Sequence, residues 1–455
     1  MARSALVMPS TLVFRDATLV TMDPARRVVR GDLGIADGRI AAIGGRLEAD
    51  TVVDAAGTLI VPGFVQAHVH LCQALFRGLA EESDLLAWLR GKIWPLEAAH
   101  DPASIAASAR LGLSEAIQNG TTTLFDMGTV RHTDSIAEVA VESGIRVVVG
   151  KALMDQGEGV PKGLLDDTKT ALAEAEAIVR RWHGAAGGRI SANLAPRFVL
   201  SCSKPLWEGV AALARAHDVS VHTHLNESPG EIDEIERAIG TTTVAWFDAL
   251  GLLDERFVGA HGVWFRDDER RLLAERGARI AHCPSANFKL ASGQCDVRAL
   301  TAAGVVVGLG ADGAPCNNRI DPFTEMRLAG LVSRVLRKEQ ALSAAEVVAL
   351  ATIDGARALR MDQETGSLEV GKAADFVVVE QEGTADAPLQ GTDPYTALVY
   401  QSSAAAVRTV VCQGQVVCHR GRVRAWEDGD VVEDADRRRG EAVRRAGLDA
   451  LLAGA

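Results

Sequence analysis

Pro205-Leu-Trp-Glu-Gly-Val-Ala-Ala-Leu-Ala-Arg-Ala-His217 carries its apolar residues at helical spacing, and Val219-Ser-Val-His-Thr-His-Leu225 follows at once as a short, branched, strand-like run. This helix-then-strand unit recurs on both sides. Strands are predicted at 58–67, 121–126, 146–153, 189–194, 219–225, 257–263, 279–283 and 305–310. Helices are predicted between them at 104–118, 166–183, 205–217, 267–275 and 297–303. Gly120, Gly144, Gly277 and Gly304 each stand between a helix and the next strand, where glycine can take the left-handed helix-stop conformation without a Cβ clash. Roughly eight such units favour a closed parallel barrel. An open doubly wound sheet would show a Gly-rich phosphate turn after its first strand, and none is present.

The two ends read differently. Thr11–Thr21 and Gly34–Gly44 look like hairpin strands, with a turn at Asp37-Gly38. Residues 374–380 and 407–418 repeat the pattern around a Gln-Gly turn. The expected architecture is therefore α/β: a (β/α)8 TIM barrel with a small β-sandwich formed from both chain ends. The expected divisions are 1–62 and 365–425 for the sandwich, 63–364 for the metal-dependent barrel, and 426–455 for a charged helical tail.

Composition narrows the function. The chain has 455 residues, 47% hydrophobic and 24% charged, which suits a globular protein of more than one domain. A net charge of −12 speaks against a nucleic-acid partner. No apolar run is long enough to span a bilayer, and residues 1–14 lack a signal-peptide pattern. Seven scattered cysteines do not make a disulfide framework, so a reducing cytoplasm is the expected setting. A homo-oligomer, dimer or larger, is expected.

The chemistry sits at strand ends. His68-Val-His70 places two imidazoles on one side of the first barrel strand. His222 and His224 share a face in the same way, and His224, nearer the strand's end, is the favoured ligand. Glu227 follows at the start of the loop. His261 ends the sixth strand, and Asp312 follows the apolar run 305–310, where a carboxylate needs a metal or hydrogen-bond partner. A barrel brings such ends around one axis. Three His nitrogens and a carboxylate, with a position left for water, fit a catalytic zinc or iron site. His282 is a weaker candidate behind it, and neither Cys283 nor Cys316 reads as a nucleophile.

Taken together, Pro62-Gly-Phe-Val-Gln-Ala-His-Val-His70, His224-Leu-Asn-Glu227, Ala260-His261, His282-Cys-Pro-Ser-Ala-Asn287 and Asp312-Gly-Ala-Pro-Cys-Asn-Asn318 resemble the amidohydrolase superfamily. More narrowly they resemble its mononuclear deaminase branch. The resemblance implies one divalent metal, zinc ahead of iron or manganese, held by His68, His70, His224 and Asp312. It implies catalytic roles for Glu227 as proton shuttle, His261 as orienter of the attacking water and Asp312 as proton acceptor. No Lys ends the fourth strand, so a second, carbamate-bridged metal is not expected. The loop from Phe76 to Glu97, and Asp312–Asn318, are similar to adenosylhomocysteine deaminases, whereas Pro196-Arg197-Phe198 is similar to guanine deaminases. Arg197, Phe198, Trp88 and Gln73 are the implied substrate contacts, with Arg77 and Asn287 as further candidates. The expected activity is release of ammonia from an amino-substituted N-heterocycle, guanine-like or a pterin. Alternatives are an adenosine-type nucleoside deaminase, a triazine hydrolase, and a non-catalytic barrel that only binds.

Overall fold

The computed structural model describes residues 10–81, 85–381, 383–384, 386–388 and 391–452. The expected signal-free N-terminus and the sandwich and tail divisions thus extend beyond it at residues 1–9 and 453–455.

The opening helix spans Lys204–His217. Ser203 caps it by accepting from the Leu206 N–H, Pro205 occupies its first turn, and Asp218 ends it with φ 50°. Its Trp207 is fully buried against Phe247, ring centroids 4.7 Å apart. Eight parallel strands alternate with such helices: β1 Phe64–His70, β2 Thr121–Asp126, β3 Arg146–Leu153, β4 Ile190–Pro196, β5 Val221–Leu225, β6 Phe257–His261, β7 Arg279–His282 and β8 Val306–Leu309. They pair in chain order, and the two-residue continuation of β8, Asp312–Gly313, pairs with Val69 and His70 of β1. That pairing closes the ring. Gly310 permits it, because a Cβ there would stand 2.7 Å from the His68 carbonyl oxygen. The four glycines predicted to stop helices all have positive φ, from 73° to 97°.

The predicted first strand, 58–67, is two strands. Thr58–Pro62 belongs to the other sheet, and the chain crosses into the barrel at Gly63, where a Cβ would meet Thr122 at 2.0 Å. An unbroken apolar run hides such a switch, because both halves are buried.

The chain ends form one nine-stranded sheet, joined where Thr58–Pro62 pairs antiparallel with Phe376–Glu380. It folds around its own core, in which Phe14 meets Phe376 edge-on at 5.0 Å. The Asp37-Gly38 turn is present, both residues at positive φ. The tail is a helix, Asp428–Arg445. Its apolar face packs on Leu75, Phe76 and Leu79 of the loop after β1, beside the helix Pro102–Gln118. Among the described residues, no helix is long and apolar enough to cross a membrane.

Candidate metal centre and its pocket

The strand ends bring His68, His70, His224, His261 and Asp312 to one point. Nε2 of His68 and Nε2 of His70 lie 3.2 and 3.3 Å from Asp312 Oδ1, and Nε2 of His70 lies 3.2 Å from Nε2 of His224. Four ligands bound at ~2.0–2.1 Å in a tetrahedron stand ~3.3 Å apart, so the spacing fits a zinc-type cation. The chemistry of the donors agrees. His224 gives its Nδ1 proton to the Arg197 carbonyl at 2.8 Å, which turns the Nε2 lone pair inward. Burial pushes the pKa of both His70 and His224 well below the imidazole norm, so each is neutral. With the His224 lone pair turned inward, a second lone pair on His70 Nε2, 3.2 Å away, would give a cation two nitrogen ligands. His68, His224, His261 and Asp312 each also offer a ligand atom within 4.8 Å of the others.

A second set of groups faces the same point. His261 Nε2 lies 3.5 Å from Glu227 Oε2 and 3.9 Å from Asp312 Oδ2. Burial raises the Glu227 pKa to about 7, which leaves a proton on it near neutrality. Burial opposes the charge on His261, but the carboxylates of Glu227 and Asp312 outweigh it and raise its pKa. His261 and Asp312 both hold left-handed backbone conformations, φ 72° and 62°. Each such residue costs ~1–3 kcal/mol and persists where function demands the orientation.

The supporting contacts were not legible in the sequence. Asn287, a candidate pocket residue, instead accepts from His261 Nδ1 at 2.9 Å and fixes that ring. Ser292 donates to Glu227 Oε1 at 3.1 Å, and Cys316 donates to Asp312 Oδ2 at 3.2 Å. Glu231 accepts the backbone N–H of Glu227 at 2.9 Å. Both ring nitrogens of His282 are buried without a hydrogen bond.

Beside this cluster lies a pocket. His70, His224, Glu227, His261 and Asp312 form its floor, with His68 buried beneath. Leu85, Trp88, Leu89, Phe198 and Leu290 form an apolar wall, and Gln73 and Arg197 stand at its side. Trp88 packs with Trp94 in the same cluster, so it serves both the loop core and the pocket. Arg77 pairs with Glu115, away from this cavity.

Arg197 lines the pocket and is held there by a carboxylate. Its Nη1 and Nη2 bind Glu97 Oε2 and Oε1 at 2.5 and 3.1 Å, and Gln73 Nε2 donates to the same carboxylate at 2.8 Å. Glu97, a buried acid one hundred residues from its partner, gave no signal in the sequence.

A family model, "Amidohydrolase family", matches residues 59–417. The chain belongs to the amidohydrolase family. This amidohydrolase is 38% identical over 411 residues to a 5'-deoxyadenosine deaminase of Methanothermobacter thermautotrophicus, covering 90% of the chain and 93% of the relative. It is 34% identical to a 5-methylthioadenosine/S-adenosylhomocysteine deaminase of Moorella thermoacetica, covering 94% and 98%. The crystal structure of an adenosine deaminase from Xanthomonas campestris with bound zinc superposes with a TM-score of 0.90 at 30% identity, covering 96% of this chain and 99% of that one. The amidohydrolase is thus an enzyme, a hydrolase acting on carbon–nitrogen bonds.

Proposed function

We propose that this amidohydrolase releases ammonia from the 6-amino group of an adenine nucleoside whose 5′ carbon bears a hydrogen or thioether in place of the hydroxyl. The observation that carries the reaction is the floor of the pocket, where a protonated Glu227 and the His261 ring stand beside the ligand cluster. The substrate class is supported by the relatives, which are named for 5'-deoxyadenosine, methylthioadenosine and adenosylhomocysteine. It is also supported by the apolar side chains Leu85, Leu89, Phe198 and Leu290 in the pocket lining, which suit a 5′ substituent without a hydroxyl.

His68, His70, His224 and Asp312 would hold one divalent cation, zinc first. Such a cation, when bound, lowers the pKa of water from 15.7 to roughly 7. Glu227 gives its proton to the ring nitrogen beside the amino-bearing carbon, which makes that carbon electrophilic. His261 Nε2 orients the attacking water and Asp312 takes its proton. A C–O bond forms at the ring carbon. The proton then passes to the amino group, the remaining hydroxyl proton returns to Glu227, the C–N bond breaks, and ammonia leaves with an oxo group left on the ring. Acid–base steps of this kind supply about 10²–10⁴-fold each.

The free-base reading, guanine-like or pterin, would use the Arg197 guanidinium, which lines the pocket and gives two of its five N–H groups to Glu97. The triazine reading keeps the floor and changes the leaving group. An ammonia-release screen of the zinc-loaded enzyme tests all three. Expected is turnover of 5'-deoxyadenosine and methylthioadenosine, with adenosine up to about 10²-fold slower, since an apolar wall rejects an added hydroxyl by no more than that. Faster release from guanine than from any nucleoside, or chloride release from a chlorotriazine alone, would refute the proposal.

A further inference from the structure

His222 precedes His224 by two residues on β5, so both rings point into the barrel. His224 reaches the pocket, whereas His222 lies one layer deeper and is fully buried. Its Nε2 stands 2.6 Å from Nδ1 of His68, and the Phe125 ring covers it at 4.2 Å. Its own Nδ1 has no hydrogen-bond partner.

A neutral imidazole carries one N–H, on one nitrogen or the other. If His68 carried it on Nε2, the proton would occupy the position where the lone pair must face the cation. Something must therefore hold that proton on Nδ1. For His224 the acceptor is a loop carbonyl, that of Arg197. At His68 Nδ1 the group within reach is His222 Nε2, at 2.6 Å. A carboxylate would place a full charge there. His222 supplies a neutral acceptor instead.

We propose that His222 is a positioning residue: by accepting the Nδ1 proton of His68 it fixes the tautomer whose Nε2 lone pair completes the metal site. This rests on the reading of His68 as a ligand. Its cost is visible in the structure, because His222 must then carry its own proton on the unpartnered Nδ1. A histidine kept there for packing alone would gain nothing from that arrangement.

The test compares zinc affinity, measured by competition with a chromophoric chelator, in the wild type, His222→Gln and His222→Leu. Leucine fills the space and accepts nothing, while glutamine can place an amide oxygen near the lost Nε2. Loss of such an outer partner typically weakens metal binding 10–100-fold, and that is the expectation for His222→Leu, with His222→Gln restoring most of it. Equal zinc affinity in the wild type and His222→Leu overturns the proposal, and so does equal weakening in both variants, which would mark a packing role. Failure of the wild type itself to bind zinc would overturn the metal site, a result distinct from either. Ring ¹⁵N chemical shifts of metal-free wild type give a reading that needs no variant to fold. His68 is expected to be protonated at Nδ1, and protonation at Nε2 refutes the role.

Discussion

The two ends of the barrel treat charge in opposite ways. At the amino ends of the strands, ionisable groups are matched. Arg146 Nε binds Asp375 at 2.7 Å, Arg360 Nη1 binds Asp218 at 3.0 Å, and Arg39 Nη2 binds Glu364 at 2.9 Å. At the carboxyl ends, imidazole nitrogens converge, His261 and Asp312 take left-handed backbone angles, and Glu227 sits in a site that penalises its ionised form. A fold that pairs opposite charges at one end and gathers imidazoles and carboxylates at the other shows where a ligand is owed. In barrels of this type the carboxyl face carries chemistry and the opposite face carries stability.

The contrast can be broken at several points. Asp312→Ala should lower kcat/KM by about 10⁴-fold or more and abolish tight zinc binding, read by kinetics together with metal analysis. Retention of both would remove Asp312 from the site. Glu227→Gln should keep the metal and lose about 10²–10⁴-fold in kcat, because only the proton transfer is lost. A variant that also loses zinc would place Glu227 among the ligands.

At the other end the expected currency is stability. Arg146 and Asp375 are both buried, and Asp375→Ala strands a charged guanidinium. Urea unfolding should show a loss of about 3–5 kcal/mol, while the folded fraction keeps its kcat. A large kcat effect with no change in stability would contradict the division of labour.

Glu325 sharpens the comparison through pH. It is buried behind the pocket, accepting from Ser285 N–H at 3.1 Å and Asn317 Nδ2 at 2.9 Å, and burial raises its pKa to about 7. The folded state thus holds this proton more tightly than the unfolded chain, whose carboxyl has a pKa of 4.5. Its stabilising contribution is complete below pH 4.5 and is lost as pH rises through about 7, a difference of ~3 kcal/mol. Stability of the wild type relative to Glu325→Gln should fall across that window, and parallel pH profiles would refute the shift. The smallest effect belongs to Arg360→Ala. Its partner Asp218 is exposed, and chemical denaturation should register only ~0–1 kcal/mol.

Much of this molecule is written in local pattern. Helix periods, glycine stops and the two-residue spacing of His68 and His70 are properties of contiguous residues, and all are found where the pattern places them. What stayed hidden depends on closure of the ring. Glu97 meets Arg197, Ser292 meets Glu227, and Asn287 meets His261 only because separate strand ends converge, and no periodicity announces a partner. The division at 62/63 is expected from the sequence, but the predicted strand runs through it, because a strand buried in one sheet and a strand buried in the next have the same apolar signature.

Asp312 lies in the segment that pairs with Val69 and His70, and β1 supplies His68 and His70. Closing the ring and assembling the proposed ligands are therefore a single event. An ion gripped there works as a clasp, tying the last turn of the barrel to its first. Stripping it should loosen that seam before any other part of the wall, and amide hydrogen exchange at Val69 and Gly313 would be the earliest to quicken.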